Sequence, residues 1–328
     1  STMSGATIDL GPQTVHSRDP LLFQHLAELG LEEAMTVAGS NGRKRFIVLD
    51  GRLVELPSSP LSAIHTKALS WRAKWRVLGE PFAPAGPGGD ESAAEFVTRR
   101  LGPEVADHLL DPFVSGVHAG DPHTLSMRGA FPRLLDAEQE HGSLVRWALY
   151  EGRSARRRRR GRGKSRPERV SPRLFSFQGG LQRWPQALAQ ALGPNAVRTH
   201  TPAHSLHKLP GGRWAIEAEG GLRIEAGDVV IATPASAAAH LLEPVSSGGA
   251  RVLHDMPYSP VATVHQLYRR HAIRHPLDGF GLLVPTREHR PVLGILWVSS
   301  LFEGRAREGT VLTTSFVGGA RSPERVTQ

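Results

Sequence analysis

Residues 203–234 read AHSLHKLPGGRWAIEAEGGLRIEAGDVVIATP. Three short runs are separated by glycine pairs, Gly211-Gly212 and Gly220-Gly221, and then comes an unbroken apolar run, Val229 to Ala232. Glycine pairs supply the backbone freedom of tight turns, so Ala203–Leu209, Arg213–Glu219 and Leu222–Glu225 predict a three-stranded meander. Asp228 to Thr233 has the continuous apolarity of a strand buried on both faces, as in a parallel sheet, and Pro234 opens a helix behind it. Open parallel sheets bind ligands at strand carboxyl ends, so Ala232, Thr233 and Pro234 are candidate contact residues, with a plain core strand as the alternative.

Working outward, Phe46–Leu49, Asp50-Gly51 and Arg52–Leu56 predict a hairpin with a type I′ turn. Four further strands are expected at Val261–Tyr268, Phe280–Pro285, Val292–Val298 and Val311–Val317, and another at Leu174–Phe177 ahead of the turn Gly179-Gly180 and a helix Leu181–Leu192. Asp19 before Pro20 predicts a helix start, closed at Gly30, and Asp90 a cap for a helix reaching Leu101. Pro103 to Tyr150 reads as helical with a break at Gly116–Pro122.

Of 328 residues, 39% are hydrophobic and 22% charged, which suffices for a large core. No apolar run reaches the roughly 18–20 residues of a membrane-spanning helix. The chain has 0 cysteines, excluding disulfides, thiolate chemistry and Cys-based metal centres. Residues 1–10 show no basic–apolar–small targeting pattern. The formal net charge is +9, and the window Arg153–Arg169 alone supplies it, since ten basic residues there face only Glu168. The body is balanced, so the overall charge is no argument for a nucleic-acid protein. The Arg window, with glycines and Pro167, reads as a loop at 153–170; anionic lipid or nucleic acid are the alternatives to plain solvation, and no aromatics are interleaved for base stacking. Gly163-Lys164-Ser165 lacks the strand and upstream glycine of a phosphate loop. His200, His204 and His207 are spaced like metal ligands, but a strand from Ala203 would put His204 and His207 on opposite faces.

Several segments together carry a resemblance. Leu10-Gly11-Pro12, LDPFVSGVHAGDP at 110–122, LSMR at 125–128, FSFQGGL at 175–181, GFGLLVP at 279–285 and Leu293-Gly294 resemble oxygen-dependent protoporphyrinogen oxidases. Phe131-Pro132, Ala137-Glu138-Gln139 and His141-Gly142-Ser143 are similar to the mitochondrial branch. Only the Arg window falls outside.

The resemblance implies a monoamine-oxidase-like flavoprotein of α/β and α+β class. Its FAD/NAD(P)-binding, glutathione-reductase-like domain (residues 1–40 and 171–245) would lack the first βαβ unit. An antiparallel-sheet substrate domain (41–56 and 246–328) and a helical membrane-binding domain (57–152) complete it. The implied reaction oxidises protoporphyrinogen IX to protoporphyrin IX with FAD and molecular oxygen, releasing hydrogen peroxide, in haem synthesis. A homodimer peripheral on the mitochondrial inner membrane, with no specific nucleic-acid partner, is expected. Arg45 is implied to pair a substrate propionate, and Phe113, Leu283 and Phe316 to line the macrocycle pocket. Leu10, Gly11 and Pro12 would run beside the flavin, Ala203 beside the adenine, and Ala232, Thr233 and Pro234 past the cofactor. The resemblance also places a pyrophosphate-binding Gly-x-Gly-x-x-Gly turn ahead of Ser1 and a Gly-rich flavin segment beyond Gln328, so this chain is expected to be the interior of a longer protein. A related amine-type oxidase, or a non-enzymatic binder using Arg156–Arg160, are the rival readings.

Overall fold

A computed structural model describes residues 2–57, 65–86, 88–160 and 173–326. They form two units, Ser1–Pro185 with Ser259–Gln328, and Gln186–Tyr258.

The larger unit is organised around a six-stranded sheet. Its outer hairpin joins β5 (Phe46–Leu49) to β6 (Arg52–Glu55), and Asp50 and Gly51 both have positive φ, 50° and 72°, as the type I′ turn requires. β11 (Val261–Arg269), β12 (Gly281–Leu283), β13 (Val292–Leu296) and β14 (Thr310–Gly318) complete it in the order β11-β14-β13-β12-β5-β6. The expected antiparallel sheet is mixed: β5 and β12 run parallel, Leu282 opposite Phe46. A strand from the chain's beginning and one from its end can lie side by side in either sense, because no tight turn fixes their direction.

A smaller antiparallel sheet in the same unit sets β7 (Arg173–Phe177) between β3 (Val15–Ser17) and β4 (Met35–Val37), and β1 (Thr2–Met3) pairs with β2 (Ala6–Thr7). Helix α1 (Pro20–Glu28) starts as its sequence predicts: the Asp19 carboxylate accepts the Leu21 N–H at 3.0 Å, and Gly30 leaves the helix with positive φ.

The helical part contains α2 (Trp71–Leu78), α3 (Ala93–Leu101), α4 (Asp111–Val117), α5 (Pro132–His141) and α6 (Leu144–Arg160). Ala93, Phe96, Val97, Val105, Ala106 and Met127 form its core. Two sequence expectations change here. Ser92, not Asp90, caps α3, through a reciprocal box with Glu95; Asp90 instead accepts hydrogen bonds from the Ser126 hydroxyl at 2.6 Å and the Arg128 N–H at 3.2 Å. Residues 153–160, expected as loop, are the last turns of α6, because arginine is a good helix former and cations favour a helix C-terminus. The rest of the window, 161–170, lies outside the described residues.

In the second unit, β8 (Ala203–Lys208), β9 (Trp214–Ala218) and β10 (Leu222–Ala226) form the predicted meander, and all four turn glycines have positive φ. Helix α7 (Arg183–Leu192) spans the boundary between the units; α8 (Ala235–Leu242), starting behind Pro234, and α9 (Ser247–His254) follow the meander. The expected strand at Asp228–Thr233 does not form. No described strand pairs with it, and Val230 is 90% exposed. An apolar run becomes a strand only when a neighbour takes up its N–H and C=O groups.

Candidate functional site

One transverse row of the large sheet carries two of the predicted pocket residues. Ile47, Leu283, Gly294, Phe316 and Thr263 are successive Cα partners, so their side chains share a face. Leu283 leans over Gly294, where a Cβ would lie 3.1 Å from its Cδ2, and also meets Gly116 of α4. A Cβ on Gly116 would come within 2.3 Å of Leu283 Cδ2, so glycine there lets α4 approach the sheet. Phe316 packs against the core cluster that includes Leu296 and Leu312. Phe113, on α4, is half-exposed, with its ring 6.1 Å from Phe131 and 5.9 Å from His118.

Arg45 stands immediately before β5. It is exposed, its guanidinium carbon lies 5.4 Å from the centre of the Phe280 ring, and among the described residues no carboxylate pairs with it. Stacking on an aromatic holds the fork while leaving its donors open to an anion. The preceding Lys44 is already engaged with Asp278, and that hydrogen bond holds the Asp278 carboxyl below the usual range.

The same face carries His265, on β11. Its Nδ1 lies 3.0 Å from Thr314 Oγ1 and its Nε2 3.4 Å from Thr263 Oγ1. Burial pushes its pKa below the ordinary histidine value, which favours the neutral ring, while the charge of Asp9 pulls the other way. No sequence signal marks it beyond its place in an alternating strand.

Asp9 belongs to a second feature missed in sequence. The residue directly before the Leu10-Gly11-Pro12 turn is buried and accepts a hydrogen bond from Arg305 at 2.7 Å and from the Leu181 N–H at 2.9 Å. Gln13 Nε2 donates to the Asp9 carbonyl at 2.6 Å, and Arg305 also donates to Ser176. A Cβ on Gly180, whose φ is +100°, would sit 2.5 Å from the Asp9 carboxylate. The Gly-Gly pair of FSFQGGL thus lets β7's exit approach a buried acid.

The chain matches the model of the flavin containing amine oxidoreductases over residues 1–328. It belongs to that family. Among curated proteins it is 30% identical to protoporphyrinogen oxidase 2, chloroplastic/mitochondrial, of Arabidopsis thaliana, an alignment covering 98% of this chain and 67% of that protein. It is 34% identical to the protoporphyrinogen oxidases of Oryza sativa (chloroplastic; 94% of this chain, 60% of that one) and Homo sapiens (91% and 64%). Across the first relatives the chain spans 59–67% of their length. A protein of Exiguobacterium sp. 255-15, provisionally named protoporphyrinogen oxidase, superposes with a TM-score of 0.77 at 21% identity, covering 99% of this chain and 69% of that one. Reduced UDP-galactopyranose mutase gives 0.66 at 17% identity, over 96% and 64%. These likenesses establish a flavin amine oxidase-like fold with mixed and antiparallel sheets.

The cofactor of this flavin-containing family is FAD. In the larger unit, the Leu10-Gly11-Pro12 turn is exposed, with nothing within 4 Å of the place where a Cβ on Gly11 would be, so a flat ring can lie against its backbone. In the second unit, Ala203 and Ala232, Thr233 and Pro234 are exposed, and the last three belong to no sheet. Small side chains and open backbone fit the flat parts of a flavin nucleotide. No Gly-x-Gly-x-x-Gly turn, the usual pyrophosphate cradle, occurs in the 328 residues.

Proposed function

We propose that this chain carries the substrate-orienting part of a flavin-dependent oxidase acting on protoporphyrinogen IX. What supports this above all is the identity of 30–34% to curated protoporphyrinogen oxidases along 91–98% of the chain. The geometry agrees with an anionic, flat, largely apolar substrate. Arg45 would bind a propionate through charge-assisted hydrogen bonds at about 2.7–2.9 Å. Leu283 and Phe316 on one sheet face, with Phe113 on α4, would hold the macrocycle. FAD, where bound, supplies the acceptor for the hydrogens, which leave in pairs, each pair converting one O2 to one H2O2. Leu10, Gly11 and Pro12 would lie beside its ring, Ala203 beside its adenine, and Ala232, Thr233 and Pro234 along it. The chain's own contribution is orientation and exclusion of water, in keeping with a reaction whose difficult chemistry belongs to the cofactor.

The same reading divides the chain into FAD-binding (1–40, 171–245), substrate-binding (41–56, 246–328) and helical membrane-contacting (57–152) parts. It places the protein as a homodimer peripheral on the mitochondrial inner membrane. No described helix is long and apolar enough to cross a membrane.

The test is to produce the polypeptide from its full coding sequence with FAD, add protoporphyrinogen IX, and follow porphyrin fluorescence and peroxide together. Turnover with both products is expected; oxidation of an amine panel without porphyrin formation would replace this reading by an amine-oxidase one. Arg45→Ala should raise KM about ten- to a hundredfold, with a smaller change in kcat. An unaltered KM would remove its assigned role.

A further inference from the structure

A solvent-facing aromatic stripe lies on α2, which carries none of the residues assigned to substrate or flavin. Trp71, Trp75 and Leu78 are 68%, 70% and 62% exposed, and Phe82, in the turn just beyond, is 87% exposed. At 3.6 residues per turn the three helical positions fall within an arc of about 60°. The opposite side of the helix is committed: Ala73 is buried, and Val77 packs on the Ala93–Phe96–Met127 core. The stripe is therefore turned away from the protein by the packing of the helix itself. Isolated exposed apolar residues are ordinary, whereas three large ones in register on one helix, two of them tryptophan, with a fourth just beyond its end, mark a binding surface.

The charges beside the stripe say what kind of partner fits. Arg72 is exposed on one flank, and Lys74 lies on the other with its Nζ 4.7 Å above the Trp71 ring. Arg76 adds a third cation, one of its nitrogens donating to the Arg99 carbonyl at 3.2 Å. Two acids flank the helix and both are occupied: Glu104, at its start, accepts from the Ser70 N–H and hydroxyl at 2.5 and 2.6 Å, and Glu80, just beyond its end, is buried against Arg100. A second copy docked face to face would set these cations against their own likenesses. Anionic headgroups complement them, while tryptophan and phenylalanine suit the boundary between headgroups and acyl chains.

We propose that α2 and the turn through Phe82 lie in the plane of a bilayer containing anionic lipid, with Trp71, Trp75, Leu78 and Phe82 inserted and Arg72 and Lys74 on the headgroups. This deepens the membrane part of the proposed function by naming the face and the lipid charge. It does not rest on the oxidase chemistry, and it makes the Arg run of 153–169 unnecessary for attachment.

The full-length chain is mixed with sedimentable vesicles of phosphatidylcholine alone, or of phosphatidylcholine with phosphatidylglycerol. The expected result is sedimentation with the anionic vesicles, a blue shift of tryptophan emission, and quenching by brominated acyl chains. The double substitution Trp71→Ser/Trp75→Ser should weaken partitioning about a hundredfold, and Arg72→Glu/Lys74→Glu should erase the preference for anionic vesicles at a loss of about tenfold. Deleting residues 153–169 should leave blue shift and quenching in place. Trp71, Arg72 and Trp75 are exposed and Lys74 is half-buried, so none is a core side chain, and an unchanged circular dichroism spectrum verifies folding. The proposal is overturned if the wild type stays in the supernatant with both vesicles, if the tryptophan variant sediments as well as the wild type, or if light scattering shows a dimer that this variant dissociates. Vesicle binding without porphyrin formation rejects the oxidase reading alone; porphyrin formation without vesicle binding rejects this surface alone.

Discussion

Arg305 and Arg100 are both fully buried and both face a carboxylate, yet one sits by the large sheet and the other in the helical part. Arg305 with Asp9 gathers Leu181 and Ser176 as well, segments far apart in the chain. Arg100 with Glu80 serves a helix terminus. Glu80 accepts the N–H groups of Leu144 and Val145 at 2.9 and 3.1 Å and the Ser143 hydroxyl, while Arg100 also donates to the Gly142 carbonyl at 2.8 Å. The first pair closes a tertiary junction and the second begins α6. A buried ion pair is a weak source of net stability by itself; its importance lies in the groups that would be left unsatisfied without it.

Removing one partner of the junction should give the largest effect. Arg305→Met strands Asp9 in the interior and is expected to cost about 3–5 kcal/mol in thermal or denaturant unfolding. The double variant Asp9→Leu/Arg305→Met should recover much of that loss, and failure to recover would mean the pair does more than neutralise itself. Glu80→Gln should cost about 2–3 kcal/mol, from weaker hydrogen bonds to a group no longer charged. Its loss should appear as faster amide exchange at Leu144–Arg146, not at β7; exchange rising equally in both would erase the contrast between them.

Acid gives a second readout of the start of α6. Burial works to raise the Glu80 pKa, but hydrogen bonds from Ser143, Leu144 and Val145 and the charge of Arg100 bring it below the ordinary value of 4.5. A carboxyl depressed on folding contributes stability that is complete above its unfolded pKa and disappears as pH falls through its folded one. Titration from pH 6 downward should therefore leave α6 protected until below about pH 4.5, then open it; opening of α6 at higher pH would contradict this. Gly180→Ala, which combines a strained φ with a contact on Asp9, should cost about 2 kcal/mol. Smallest is Ser92→Ala, at about 1 kcal/mol for a lost helix cap, read from the melting midpoint.

Local signals explain what the residues alone disclose. Asp50-Gly51, Asp19-Pro20 with Gly30, and the paired glycines of the meander act through their own backbone, so neighbours in sequence suffice to read them. Asp228–Thr233 misleads for the complementary reason: its composition suits a strand, but pairing is a property of two segments. Ser92-x-x-Glu95 has the spacing of a capping box, but Asp90, a good cap type two residues earlier, competes with it as a signal. For the candidate site, Arg45, Phe113, Leu283 and Phe316 were named through resemblance, and the sheet sets Leu283 and Phe316 on one face. His265 and the Asp9–Arg305 junction carry no local mark, since the latter joins residues 296 positions apart.

The parallel contact between β5 and β12 has a bearing on biogenesis. Phe46 and Ile47 lie opposite Leu282 and Leu283, so the hairpin leaves the ribosome with one edge open and waits for its neighbour to be translated. At ordinary elongation rates that delay is on the order of tens of seconds, much longer than a hairpin needs to form. During it, an apolar edge is exposed to other nascent chains, and high yields of this protein should depend on a chaperone that shields the early segment until the later one arrives.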